Sequence, residues 1–299
     1  MSQVWVSGEV LIDLIPNGSE RKPIVGGGPA NTAKALAKIG IETQFIDGIS
    51  TDDYGQMAKD ELVASGVKLD YVKYSDKPTC LAVVSLSDSG SASYEFVIEN
   101  TATFDFTPDW LPNPQTELPS LLHIGTLATA IEPGASVLFE WTQSVSKVAP
   151  IVFDPNIRPA IISDSKQYLM QVERWVSISS VVKVSDEDIN WLYPSLEIDQ
   201  VVNNWLAKGP SLIVVTYGDK GLVGYRVGEK VIVDAVKVAV MDTVGAGDTV
   251  GAILVEVIVK DGLATLSGVR LEMMLKRAAK AAAITVSRSG ANPPTLKEI

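Results

Sequence analysis

The sequence predicts an α/β fold: a central, mostly parallel sheet with helices on both faces, plus a small antiparallel β-sheet at one edge. Three observations support this. Short β-branched apolar runs alternate with helical stretches along most of the chain. The runs are nearly continuously apolar, as expected of strands buried on both faces. Two stretches break the alternation, and one of them swaps apolar and polar residues with a period of two.

Val4 to Val10 reads as the first strand. Leu14 to Val25 is polar and turn-rich and fits neither a helix nor a buried strand. Ala33, Leu36, Ala37 and Ile39 recur at helical spacing, which gives a helix over Asn31 to Ile39 with Gly40 as its stop. Thr43 to Ile49 is a strand and Tyr54 to Ala64 a helix. Between Thr79 and Phe106 the apolar positions are Leu81, Val83 and Leu86, then Tyr94, Phe96 and Ile98; Ser87-Asp88-Ser89-Gly90 is a hairpin turn between them. Residues 14–25 and 79–106 together form the small sheet. Trp110 to Pro119, with three prolines, is a loop. Leu121–Ile124, Ile151–Asp154, Val181–Ser185 and Leu212–Tyr217 are strands, each followed by a helical stretch. Lys230 to Met241 is strand-like, and Thr249 to Val259 is a helix. Ligands of parallel sheets gather at the carboxyl ends of the strands. Glu9, Asp13, Asp154, Asn156, Ser185, Thr216 and Asp242 all lie near or after such ends, so one shared cleft is expected.

The 299 residues, 46% of them apolar, suit one large domain over 1–299. A net charge of −11 argues against nucleic acid or an anionic membrane as partner. The single cysteine, Cys80, reads as a small buried strand residue; it excludes an intrachain disulfide framework and fits a reducing compartment, the cytoplasm. Met1 to Glu9 lacks a basic segment or long apolar run, so no signal peptide is expected, and no stretch reaches the roughly 18 apolar residues of a membrane span. His123, the one histidine, sits in an apolar strand and reads as a satisfied core residue, which leaves no basis for histidine catalysis or a zinc site.

Residues 242–252 read Asp-Thr-Val-Gly-Ala-Gly-Asp-Thr-Val-Gly-Ala. A strand, a Gly-Ala-Gly turn and then a helix put free backbone N–H groups at the positive helix end, which binds an anion without Lys or Arg. Asp248 falls where that anion would be held. A carboxylate there repels a phosphoryl group, so it makes sense as a general base for an attacking hydroxyl while the N–H groups hold phosphoryl oxygens. The same run also reads as an ordinary turn with Asp248 as a helix cap. Residues 25–40, Val-Gly-Gly-Gly-Pro-Ala-Asn-Thr-Ala-Lys-Ala-Leu-Ala-Lys-Ile-Gly, give a second glycine-rich entry to a helix. Gly26 and Gly27 let a ligand approach the backbone, and Asn31 has an amide free for a polyol; a capped helix after a flexible loop explains the run as well.

The Gly-Gly-x-x-x-Asn and Asp-Thr-x-Gly-Ala-Gly-Asp segments together resemble the two signatures of the PfkB, or ribokinase-like, family of carbohydrate kinases. The resemblance covers nearly the whole chain: Gly8 to Asp13, Ile46 to Gly55 and Val215 to Gly221 match intermediate family segments. It implies a ribokinase-like fold whose small sheet is a lid over the sugar site and a homodimer interface. It implies Asp248 as base, with Gly245, Ala246 and Gly247 holding phosphoryl charge. Asp13, Gly27, Asn31, Phe96 and Arg158 would meet the sugar. Lys183, Ser185, Thr216, Gly218, Gly221, Gly247 and Ala283 would line ATP, although an exposed Lys183 is the plainer expectation. Ala283, with Ala282 and Val286, falls where the family holds adenine; small residues there equally suit close helix packing. Asp188 would serve Mg²⁺ through water, and Asp242 a K⁺ site or the loop amides around it. Two positions depart from the family pattern at 183–188: Ser185 stands for Asn and Asp188 for Glu, which leaves open whether Glu187 or Asp188 serves the metal. Val250 stands where the family commonly has Phe.

Phe153 to Pro159 resembles the Asp-x-Asn-x-Arg segment of bacterial fructokinases and 2-keto-3-deoxygluconate kinases. Arg158 would hold a sugar oxygen or balance phosphate, or tie its loop to the sheet by an ion pair. The region Tyr94 to Asn100 has no Arg and carries Glu95 and Glu99, which disfavours an acidic sugar. The resemblance therefore implies an ATP-dependent kinase acting on fructose, with 2-keto-3-deoxygluconate, ribose or a nucleoside as rival substrates. A non-catalytic sugar sensor on the same scaffold is the rival of another class, and the retained Asp248 speaks against it.

Overall fold

The computed structural model describes residues 3–86 and 92–299. The chain starts in β1 (Val4–Ser7) and leaves at once for a hairpin, β2 (Leu11–Asn17) and β3 (Glu20–Gly26). It returns through α1 (Gly28–Lys38), β4 (Thr43–Ile46), β5 (Gly48–Ser50), α2 (Asp53–Ala64) and β6 (Lys73–Ser75). β7 (Leu81–Leu86) and β8 (Ala92–Val97) then join the first hairpin, and α3 (Pro114–Glu117) follows. The regular alternation runs β9 (Leu121–Gly125), α4 (Gly134–Val145), β10 (Ile151–Asp154), α5 (Ser165–Ile178), β11 (Val181–Ser185), α6 (Asp186–Leu192), α7 (Ile198–Leu206) and β12 (Leu212–Thr216). A second hairpin, β13 (Leu222–Arg226) and β14 (Glu229–Val233), and the helices α8 (Ala246–Asp261) and α9 (Gly268–Val286) complete it.

The large sheet has the order β14-β13-β12-β11-β10-β9-β1-β4. It is parallel from β4 to β12 and antiparallel over β12, β13 and β14. Because successive side chains alternate faces, each strand feeds two cores. Trp5, Leu122, Phe153, Val182 and Ile213 face one core with Trp175 and Trp205. Val4, Val6, Val152, Val181 and Val214 face the other, with Leu36 of α1, Val250 and Ile253 of α8 and Leu275 of α9. A smaller sheet of order β3-β2-β7-β8 stands at the carboxyl edge of the large one.

Several expectations change. The first strand ends at Ser7, not Val10, because the Val10 N–H turns to the Asp47 carboxylate at 2.8 Å. Asp47 also accepts from Gly48 N and so divides Thr43–Ile49 into two strands. The turn-rich stretch 14–25 belongs to a full hairpin, which begins at Leu11. β12 is followed by a hairpin rather than a helix, and the strand expected to reach Met241 stops at Val233. β14 is the edge of the sheet, so Val236, Val238 and Val240 have no strand to pair with and stand 45%, 41% and 64% exposed. Helices α1 and α8 start three residues earlier than expected, at Gly28 and Ala246. The proline-rich 110–119 loop contains one helical turn, capped by Asn113. The hairpin turn expected at 87–90 lies outside the described residues.

Candidate active site

A cavity of about 710 Å³ opens between the smaller sheet and the carboxyl ends of the large one. Asp13, Ala82 and Phe96 sit opposite one another on β2, β7 and β8, and so form one row on one face of the smaller sheet. Asp13 and Phe96 line the cavity, together with Leu11 two residues before Asp13. The other wall comes from the first turns of α1 and α8 and from the loop after β10.

Gly245 precedes α8 with φ 80°, a left-handed turn that suits glycine and aims the chain into the helix. The first N–H groups of α8 point from its end without an intrahelical acceptor. Asp248 sits in that first turn and is 8% exposed. Its Oδ2 accepts from Asn31 Nδ2 at 2.9 Å, a bond between the first turns of α1 and α8. Its Oδ1 has no hydrogen-bond partner in the described residues and lies against Gly28, where a methyl group would come within 3.3 Å of it. Burial raises the Asp248 pKa to about 6, while Lys183 and the Asn31 bond pull the other way.

Lys183 is 5% exposed, so the expectation of a solvent-exposed lysine does not hold. It projects from β11 onto Asp154 of β10, Nζ to Oδ2 2.7 Å. A methyl on Gly247 would sit 3.0 Å from the ammonium, which places that charge directly beneath the Gly-Ala-Gly turn. Burial acts against the charge, but the carboxylates of Asp154 and Asp248 outweigh it and raise the Lys183 pKa. The Asn31 amide is not free, as its sequence position suggested: its nitrogen donates to Asp248, and its Oδ1 has no partner among the described residues.

At the far end of the cavity burial raises the Asp13 pKa to about 6, against the opposing charges of Arg158 and Lys34. Arg158 is half-buried and bonds the Ile157 carbonyl at 3.1 Å. It forms no ion pair among the described residues, which removes the loop-tying reading. Glu95 and Glu99 lie outside this cavity, exposed in an adjoining groove with Phe96 and Ala160.

Glu9 lines the cavity, where the sequence marks it only as an acid near a strand end. It is 3% exposed, accepts from Thr126 Oγ1 and from Ala128 N, and burial raises its pKa to about 7. The signal was an acid inside an otherwise apolar opening stretch. Asn156 also lines the cavity, in a left-handed conformation (φ 40°) that Asn tolerates.

The other expected residues sit around the rim. Ser185 caps α6 by a reciprocal box with Asp188, whose second oxygen holds Ile157 N at 3.0 Å. Asp188 thus fastens the Arg158 loop to α6, while Glu187 is exposed. Thr216 ends β12 beside Ser185; Gly218 and Gly221 form the turn that follows, where any side chain on Gly221 would strike the Val233 backbone. Asp242 accepts from Val244 N at 3.0 Å and Gly290 N at 2.8 Å, joining the turn before α8 to the chain after α9. Ala283 is buried within α9, 6% exposed, and does not line the cavity. His123 is buried, and neither ring nitrogen has a protein partner among the described residues. Among the described residues no three His, Cys, Asp or Glu side chains group into a metal cage, and no helix is long and apolar enough to cross a membrane.

The pfkB family carbohydrate kinase model matches residues 1–298. The chain belongs to this family. It is therefore a sugar phosphotransferase with a ribokinase-like fold. A fructokinase of Rhizobium leguminosarum bv. trifolii is 34% identical over 263 residues, covering 86% of this chain and 80% of that protein. A fructokinase of Salmonella typhimurium is 29% identical over 294 residues, covering 97% and 95%. Among solved structures, the Vibrio cholerae O395 fructokinase with fructose, ADP and calcium ion bound superposes with a TM-score of 0.84 at 26% identity, covering 97% of this chain and 94% of that one. The Xylella fastidiosa fructokinase with bound ATP gives a TM-score of 0.91 at 24% identity, covering 99% and 96%, a likeness of fold.

Proposed function

We propose that this pfkB kinase is a fructokinase, transferring the γ-phosphoryl group of ATP to the 6-hydroxyl of fructose and releasing ADP. The observation that carries the reading is Asp248: a buried carboxylate at a helix N-terminus, with one oxygen held by Asn31 and the other turned to the cavity. Relatives named fructokinase support the choice of sugar.

Residues 1–299 act as one kinase domain, with 14–25 and 79–106 as the lid. Fructose lies between Asp13 and Asp248. Asp13 accepts hydrogen bonds from neighbouring hydroxyls, Arg158 donates to a sugar oxygen, and Phe96 and the Gly27 backbone pack against the ring. Asp248 Oδ1 takes the proton of the 6-hydroxyl as its oxygen attacks phosphorus and the bond to ADP breaks. Gly245, Ala246 and Gly247 present the helix end to the developing charge, and Lys183 adds a cation beneath it. Ser185, Thr216, Gly218 and Gly221 edge the triphosphate, and Ala283 backs the adenine side from within α9.

Mg²⁺ bound with ATP takes most of its ligands from phosphate oxygens and water, which fits a site without a cage of acids. Asp188 would hold it there through water, and the ion would supply charge neutralisation to the phosphates. Asp242 keeps a lone pair on each oxygen and would serve K⁺. Exposed Ile15 and Val97 on the lid strands support a homodimer through the lid. The free, buried Cys80 supports a reducing setting, the cytoplasm.

Coupled detection of ADP over a panel of fructose, ribose, adenosine and 2-keto-3-deoxygluconate tests the reading. Fructose is expected to give the highest kcat/KM. If no sugar is turned over, a non-catalytic sensor replaces the kinase.

A further inference from the structure

Beneath Asp248 lie two buried polar side chains, His123 and Asp154, that the reaction above does not use. His123 of β9 is 1% exposed, and neither ring nitrogen has a partner among the described residues. Asp154 of β10 is 2% exposed; its Oδ2 takes Lys183, and its Oδ1 has no partner among the described residues. His123 lies opposite Val152 and Gly125 opposite Asp154, so His123 and Asp154 are diagonal neighbours on one face of the sheet. That face lies under α1 and α8. A methyl on Gly251, one turn beyond Asp248, would come 3.4 Å from His123 Nε2 and 3.9 Å from Thr32 Oγ1. Thr32 Oγ1 is in turn 3.5 Å from the Asp248 carbonyl oxygen. The imidazole therefore sits directly under the two helix turns that carry the base and its holder.

Unpartnered polar atoms are costly in an interior, and proteins meet that cost with ordered water. Diagonal neighbours on adjacent strands are roughly 7 Å apart at Cα, a span their side chains and one water bridge. We propose that His123 holds an internal water against the unpaired Oδ1 of Asp154, and that this His123–water–Asp154–Lys183 chain positions Lys183 beside Asp248 and the reacting phosphoryl group. Burial pulls the His123 pKa down to about 4, against Asp154 and with Lys183. The ring is thus neutral near pH 7, with one nitrogen to donate and one to accept. His123 touches no substrate; it is a positioning residue.

This inference rests on the kinase reading, which the wild-type enzyme tests on its own by fructose-dependent ADP release. The variants test His123. His123→Leu is expected to lose about tenfold or more in kcat, because a small misplacement of reacting groups is costly, with the fructose KM held within about twofold. Besides Lys183, Asp154, Asn31 and Arg158 face Asp248. Only the hold on Lys183 changes, so the acid limb of the kcat–pH profile is expected to move to higher pH. His123→Gln keeps a donor and an acceptor and is expected to restore most of kcat and the profile. A folded His123→Leu with unchanged kcat and profile overturns the proposal, as does failure of Gln to rescue. Where Leu prevents folding, His123→Ala combined with Asp154→Asn decides. A double variant no slower than Asp154→Asn alone supports one chain, and losses that multiply overturn it.

Discussion

The two walls of the cavity are built in opposite ways. On the body side, Asn31, Asp154, Lys183 and Asp248 are each at most 8% exposed. They are tied to one another across α1, β10, β11 and α8, through the Asn31–Asp248 bond and the Lys183–Asp154 pair. On the side of the smaller sheet, Glu20 to Lys22 are exposed, Ile15 and Val97 stand 37% and 44% exposed, and Leu11, Asp13 and Phe96 are the described side chains that line the cavity. The difference separates two tasks. On the proposed reading, the groups that move a proton and hold phosphoryl charge need fixed geometry, and these buried, mutually bonded side chains have it. The groups that grip a sugar on that reading sit on the smaller sheet, whose outer strands are exposed, as a closing element would be.

If that division is right, damage to the body wall is expected in kcat and damage to the lid wall in binding. The largest effect is expected from Asp248→Asn, which keeps a side chain for Asn31 but removes the base. It should cost roughly 100-fold to 10,000-fold in kcat and leave sugar binding within about a few-fold. Retention of more than about a tenth of kcat would exclude Asp248 as the base. With its pKa raised to about 6, Asp248 must lose its proton to act, so wild-type kcat is expected to fall as pH drops through about 6. Asp13→Ala is the matching change on the lid. It is expected to weaken fructose binding by about 1 to 3 kcal/mol, since sugar hydroxyls lose their acceptor, while ATP binding stays unchanged. Calorimetry that finds equal sugar affinity in the variant and wild type would remove Asp13 from the sugar site.

The sequence shows these two walls unequally. β10 and β11 coincide with the apolar runs Ile151–Asp154 and Val181–Ser185, because fully buried parallel strands leave an unbroken signature. The valines at 236, 238 and 240 imitate that signature beyond β14, but side-chain type alone does not say that no further strand exists to cover them. Asp248, Gly245 and Asn31 are legible because glycine spacing marks them, and Asp13 because it is an acid in an apolar run, although it lies within β2 rather than at a strand end. Their partners are not. The Asn31–Asp248 bond spans 217 residues, and the Lys183–Asp154 pair joins separate strands, so a single chain read in order shows an apparently free amide and an apparently exposed lysine.

Selection between sugars tests the division next. Glu95 and Glu99 are exposed in the outer groove, where solvent screens them, so they are weak barriers to an acidic sugar. Among the described residues the acids lining the cavity are Glu9, Asp13 and Asp248, against two cations, Arg158 and Lys183. Fructose is therefore expected to exceed 2-keto-3-deoxygluconate in kcat/KM, by roughly tenfold if like-charge contact costs about 1.4 kcal/mol. If the acidic sugar is preferred, Arg158 is its carboxylate clamp and Asp13 is protonated when it binds.

The smallest effect, and the sharpest test of how dry the body side is, is expected at Glu9. Burial raises its pKa from 4.5 to about 7, so the folded protein binds this proton more tightly than the unfolded chain. The contribution to stability is full below about pH 4.5 and is lost as pH rises through about 7. Glu9→Gln never carries the buried charge. It is expected to be more stable than the wild type at pH 8 by on the order of 1 kcal/mol, and no more stable at pH 5. The gain is held down because Gln has one acceptor oxygen to offer where Glu9 accepts from both Thr126 and Ala128. Melting curves of the two proteins at both pH values decide it. A difference independent of pH would mean that Glu9 meets water or a cation in the folded protein, and that this end of the body wall is as open as the lid.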